Sequence, residues 1–215
     1  MFAAVSTALM AVGQIKVEYD DKTLSLPEVM WQYLTVQGAQ SRSVTLKGNF
    51  NGKRGKIKKV VCDNGKFSEK ELFPEFMHFI LTDSIETLDF MAVPKGENKL
   101  ILTCFYPITG APLFSDTLDL DKNHILMETH NAGNEADSPI ISYSSGIMIE
   151  SEIGPISWYC GLRDSGTPPR EWNEKHGIDN YVYYTISLED DTPAGKNDPI
   201  YYRVAKENGK AVHRH

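Results

Sequence analysis

The residues best equipped for chemistry fall in a few short groups. Glu150 and Glu152 share one face of an expected strand, about 6.5–7 Å apart at Cα from the strand rise. Paired carboxylates at set separations act as acid and base on glycosidic bonds. The plain alternative is a solvated strand face, and no pocket signal accompanies the pair. His124, Glu128 and His130 also share a strand face and are of metal-ligating types, but no fourth ligand lies near in sequence. Asp119-Leu120-Asp121-Lys122-Asn123 sets three oxygen donors at alternate positions. A helix–loop–helix calcium loop needs Gly sixth and Glu twelfth, where this chain has His124 and His130, so the run reads as a solvated turn. Ser144-Ser145-Gly146 is no nucleophile elbow, because the chain has no GxSxG. Neither a metal nor a cofactor is expected from these patterns.

The stronger signal is aromatic. In Ile156 to Leu162 the apolar residues alternate, with Ile156, Trp158, Cys160 and Leu162 on one face. In Tyr181 to Leu188 the corresponding face is Val182, Tyr184, Ile186 and Leu188. That assignment buries Trp158 and Tyr184 and leaves Tyr159, Arg163, Tyr181 and Tyr183 outward, with Trp172 on an intervening helix nearby. Tyrosine and tryptophan offer flat area with a polar tip, suited to sugar rings or protein partners. The competing reading is a tyrosine-rich face that stabilises itself through cross-strand pairs. Between the strands, Thr167 is a capping type, Pro168 and Pro169 suit a first turn, His176 suits a negative helix end, and Gly177 suits a left-handed stop.

The elements that must position these groups are mostly strands. Ile15–Tyr19 alternates. Ser25-Leu26-Pro27-Glu28 has capping-box form, so 27–34 reads as a short helix, although Val29, Trp31, Tyr33 and Thr35 also alternate. Val44 to Phe50 is a strand with Val44, Leu46 and Phe50 inward, and Asn51-Gly52 signals a hairpin whose return runs to Cys62. Asp63-Asn64-Gly65-Lys66 turns the chain again. Ser68-Glu69-Lys70-Glu71 is a second capping-box pattern; Pro74 argues against one long helix from it, but Phe73, Phe76, Phe79 and Ile80 recur at helical spacing, which predicts a helix over 74–81. Strands follow near 85–93, 99–106, 117–120, 125–129, 140–143, 147–153 and 200–205. The 99–106 strand is apolar on both faces, as a central strand would be. Residues 131–139 form a polar, acidic loop, and 206–215 a polar tail expected to fray. Ten or more short strands with one to three short helices predict a mainly β fold, sandwich or jelly-roll-like.

The chain has 215 residues, 41% of them hydrophobic, enough for a sizeable core in one domain over 14–205. A formal net charge of −7 argues against nucleic acid, and the one basic run, Lys47 to Lys59, suits an exposed strand face. Residues 2–12 are small and apolar, and Ala11-Val12-Gly13 fits a cleavage site, so residues 1–13 read as a signal peptide without the usual basic start. No other stretch approaches the roughly 20 apolar residues of a membrane span. Cys62, Cys104 and Cys160 are an odd set without a CxxC, and each lies in an apolar strand-like run. They read as buried, inert thiols, with one disulfide open to them in an oxidising compartment.

Val60-Val61-Cys62-Asp63-Asn64-Gly65-Lys66-Phe67 and Ile156-Ser157-Trp158-Tyr159-Cys160-Gly161-Leu162-Arg163-Asp164, with the apolar start, give the chain its style. It resembles the small secreted β-rich proteins of unknown function from Bacteroides-type bacteria. The resemblance implies export to the periplasm or outside the cell, and no functional residue. The expectation is a non-enzymatic binding or interaction protein for a glycan or cell-envelope partner. Its rivals are a carbohydrate hydrolase with Glu150 or Glu152 as acid, and a purely structural module.

Overall fold

The computed structural model describes residues 15–20, 28–50, 53–72, 79–81, 84–106, 111–129, 137–190, 205–207 and 210–212. The expected leader, the Asn51-Gly52 turn, residues 74–78 of the second expected helix, His130, residues 131–136 and residues 200–204 lie outside that set.

The chain begins with β1 (Lys16–Asp20), helix α1 (Glu28–Val36), β2 (Gln40–Lys47), β3 (Lys53–Asp63), β4 (Lys66–Glu71) and β5 (Phe79–Leu81). Next come β6 (Ile85–Lys95), β7 (Lys99–Tyr106), β8 (Ala111–Asp119), β9 (Ile125–Met127) and β10 (Ser138–Ser144). A small hairpin, β11 (Ile147–Ile149) with β12 (Ile156–Trp158), leads into helix α2 (Tyr159–Asp164), a 3-10 turn (Pro169–Glu171) and helix α3 (Trp172–His176). The long β13 (Asn180–Asp190) follows, and β14 (Ala205–Glu207) pairs with β15 (Lys210–Val212).

Besides these two small pairs, the described strands form two large antiparallel sheets. One runs β1-β2-β6-β7-β8, the other β4-β3-β13-β10-β9, with β5 also on β3. The fold is mainly β, as the alternation predicts, with three short α-helices among the described residues. The inner faces share one core. Val44, Leu46, Leu88, Phe90, Leu100 and Leu102 come from the first sheet; Ile57, Leu126, Ile141, Tyr184 and Ile186 come from the second. Each such aliphatic side chain is 0% exposed and contributes about 1.5–3 kcal/mol by leaving water. Phe114 of β8 stacks on Tyr184 of β13 with centroids 5.9 Å apart, so the two sheets meet ring on ring.

Several local expectations fail for identifiable reasons. Ser68 to Glu71 is not a helix start but part of β4, because Asn64 (φ 49°) and Gly65 (φ 76°) form a tight turn that folds the chain back on β3. Residues 79–81 are strand, not helix, paired with Lys53 to Gly55. The strands on either side of Asn51-Gly52 lie in different sheets, so no hairpin joins them. The second face of β7 is not core: Ile101 and Phe105 stay half-buried. The helix at 28–36 wins over the alternating strand, and Val29, Met30, Tyr33 and Val36 stand exposed on it. Part of the expected frayed tail is ordered into the β14–β15 pair.

Candidate functional site

The outer face of the second sheet is where the aromatic signal lies. Antiparallel pairing puts Tyr181 beside Cys62, Tyr183 beside Val60 and Thr185 beside Lys58 on that face. β4 adds Phe67 and Glu69, and β10 and β9 add Ser142 and Met127. The segment from Tyr159 to Ile178 crosses this face as a strap. Its Leu162, Trp172 and Ile178 form a second core with Val60, Cys62, Met127, Tyr181 and Tyr183.

The strap is fixed at both edges. At the β9 side, Tyr159 Oη donates to the Asn123 carbonyl at 2.9 Å, and Arg163 lies 3.8 Å from Glu128. At the β4 side, Arg170 pairs with Glu69 at 2.9 Å and lies over the Phe67 ring, 5.2 Å from its centroid. In the middle, Trp172 Nε1 donates to the Thr167 carbonyl at 2.8 Å, and Tyr181 Oη donates to the Pro169 carbonyl at 2.5 Å. Burial pushes the Tyr181 phenol well above its ordinary pKa. Gly177 ends α3 with φ 65°, the left-handed stop the sequence announces. Thr167 makes no side-chain cap; its hydroxyl meets His176 Nε2 at 3.0 Å instead.

The expected outward face is therefore corrected residue by residue. Tyr181 and Tyr183 are each 3% exposed and Trp172 is 0% exposed, because the strap covers them. Tyr159 is half-buried against the same cluster. Arg163 alone stays exposed as expected, and its guanidinium is held protonated by the adjacent Asp164 carboxylate. Trp158, expected in the core, is 52% exposed. The cause is that β12 stops at Trp158 and α2 begins at Tyr159, so the inward residues follow a spacing of three, Tyr159 and Leu162, and the alternation ends. Cys160 is exposed on the far side of that helix, unlike the buried Cys62 and Cys104, and all three thiols are free.

Trp158 is held, not loose. Its ring rests on Gly161, where an added Cβ would come within 2.3 Å of Cε3. Gly146 allows the hairpin backbone to approach Trp158 as closely: a Cβ there would meet the Trp158 carbonyl carbon at 2.6 Å. Pairing puts Ile147 opposite Trp158 and Ile149 opposite Ile156 on one face of the hairpin. Ile156 is 42% exposed, Met148 56% and Ile153, at the turn, 91%. The short hairpin thus holds three large apolar side chains in water besides the fixed indole: Ile156 on the same face as Trp158, Met148 on the other face and Ile153 at the turn. The sequence signals for this were Gly161 three residues beyond Trp158, and the apolar Ile153 beside Gly154.

A second feature lies at the strap's other rim. A cleft of about 50 Å³ is lined by Glu69, Asp137, Arg170, Tyr183 and Thr185, with Val60 and Pro139 as its apolar walls. Lys58 pairs with Asp137 at 2.7 Å beside it. No sequence motif could announce this cleft, since its residues come from four strands, the residue just before β10 and the strap.

The other sequence candidates are dispersed. Glu150 and Glu152 are exposed in the β11–β12 turn, beyond the end of the strand expected to align them. His124 Nε2 lies 2.7 Å from the Asn180 carbonyl, which engages that nitrogen. Among the described residues no three His, Cys, Asp or Glu side chains converge as a metal site. No described helix is long and apolar enough to cross a membrane. Comparison with protein-family models, curated proteins and solved structures finds no match to this chain.

Proposed function

We propose that the protein is a non-enzymatic interaction module that docks another protein through the β11–β12 hairpin. One observation carries this reading: Trp158 is pinned on Gly161 yet 52% exposed. A pre-placed aromatic loses little freedom on binding, and tryptophan is the side chain most enriched among the residues that dominate interface energies. Its neighbours decide the class of partner. Ile156 on the same face and Ile153 at the turn are aliphatic, and on the other face the Ser157 hydroxyl is spent on Met148 Sδ at 3.2 Å. A sugar needs hydrogen-bonding groups beside the ring, whereas an apolar protein surface needs none. Large apolar side chains left exposed together, as Trp158 and Ile156 are on one face of the hairpin, mark interaction sites. Glu150 and Glu152 give the patch an acidic rim, which favours a partner with basic residues around an apolar centre.

Site-specific photo-crosslinking tests this. A crosslinker at Ile153 in the native host is expected to trap a discrete protein adduct that Trp158→Ala abolishes, while the same group at Glu97, in the β6–β7 turn, traps none. Equal adducts from both positions, or none from Ile153, would overturn the reading. A glycan-array hit abolished by Trp158→Ala would reassign the patch to sugar.

A further inference from the structure

We propose that the cleft under Arg170 is a separate binding site, shaped for hydroxyl groups of a neutral sugar or other polyol inserted end-on. It is independent of the hairpin, because the strap reaches β4 at Arg170 and the β9 side at Tyr159, opposite edges of the sheet.

Size limits the ligand first. About 10–15 Å³ holds one water on the same measure, so about 50 Å³ takes a few water-sized groups. Whole-ligand pockets run to roughly 300 Å³ and more. The cleft therefore receives a diol or hydroxymethyl end and leaves the rest of a ring outside.

Charge limits it next. Arg170 is matched by Glu69 at 2.9 Å, and Asp137 by Lys58 at 2.7 Å. Each carboxylate already has its cation and each cation its carboxylate. An ionised ligand would have to break one of those pairs or sit unmatched beside it. A hydroxyl disturbs neither, since it accepts from a guanidinium or phenol and donates to a carboxylate. Arg170 and Tyr183 supply the first kind of partner, and they also interact with each other. Glu69 and Asp137 supply the second kind.

Thr185 is the independent sign that something polar belongs here. It is 4% exposed, it lines the cleft, and its hydroxyl has no hydrogen-bond partner among the described residues. Buried hydroxyls are almost always partnered, so an unpartnered one in the floor of a polar cleft points to a ligand group.

The test uses saturation-transfer NMR on the full chain with glucose, galactose, mannose, N-acetylglucosamine and glycerol, set against glucuronate and glucosamine. At least one neutral probe is expected to bind, and Thr185→Val is expected to weaken it tenfold or more while melting at or above the wild type. If Thr185→Val does not fold, Tyr183→Phe takes its place with the same expected loss. Trp158→Ala should leave this binding unchanged, which separates the cleft from the hairpin. The proposal is overturned if no neutral probe binds, if binding survives both cleft substitutions, or if a charged sugar binds more tightly than its neutral parent.

Discussion

At the scale of single residues, two tryptophans separate packing from display. Trp172 is fully buried and its indole N–H is satisfied by the Thr167 carbonyl. Trp172→Ala should cost about 3–5 kcal/mol, the usual range for truncating a buried aromatic. Trp158 rests on Gly161 with half its surface in water. Trp158→Ala should cost about 1–2 kcal/mol, since only its packed half is lost. Urea unfolding of the two variants measures both. Equal losses would show that Trp158 is core and that the display surface is an error. The sequence misassigns these residues for a specific reason. β13 is apolar on both faces, with Tyr184 and Ile186 toward one core and Tyr181 and Tyr183 toward the other. Alternation states which residues share a face; it does not state what covers that face.

At the scale of elements, the strands were legible and their endings were not. Val44, Leu46, Leu100 and Leu102 alternate with the half-buried Thr45, Lys47, Ile101 and Thr103, and that pattern suffices to place β2 and β7. Asn64-Gly65 marks its turn because both residues must take positive φ. The Ser68–Glu71 capping signal was local and lost to six residue pairs between β4 and β3, the common outcome when propensity opposes tertiary structure. The strap's path across the sheet is set by Arg170–Glu69 and Tyr159–Asn123, contacts about one hundred and about forty positions apart, which no local pattern encodes. Gly65 ties turn and strap together. An added Cβ would meet Asn173 Oδ1 at 2.6 Å, and Asn173 Nδ2 donates to the Ile178 carbonyl at 3.2 Å and to Asp179 at 3.0 Å. Gly65→Ala should therefore cost more than the roughly 1 kcal/mol of left-handed backbone strain. Gly96→Ala is the control, with φ 69° and nothing within 4 Å of its Cβ. A larger thermal destabilisation at Gly65 than at Gly96 is expected. Equal shifts would mean that the Asn173 contact does not anchor the strap.

At the scale of the whole molecule, polar side chains clamp the two sheets at both edges. On one side Tyr184 Oη donates to Asp116 at 2.7 Å, and Lys59 meets the same carboxylate oxygen at 2.7 Å. On the other, Tyr19 Oη donates to the Thr129 carbonyl at 2.7 Å, and the Gln40 side-chain oxygen accepts from Leu126 N–H at 2.6 Å. Burial pushes the Tyr19 phenol up to about 12 and raises those of Tyr184 and Tyr181 as well, with the Asp116 carboxylate adding to the effect at Tyr184. Between the unfolded tyrosine value of about 10 and the raised native values, the folded state holds more protons than the unfolded state. Stability must then fall as pH rises, by at most about 1.4 kcal/mol per pH unit for each tyrosine. Below pH of about 10 their contribution is fully present. Lys58, raised by its bond to Asp137, acts with the same sign at somewhat higher pH. Denaturant unfolding at a series of pH values should give a flat stability near neutrality and a steep decline in alkali. Tyrosinate absorbance should lag behind the ordinary titration and then rise together with loss of the β circular-dichroism signal. If the tyrosines ionise normally while that signal persists, the phenols are in water, and neither the clamps nor the strap covers them.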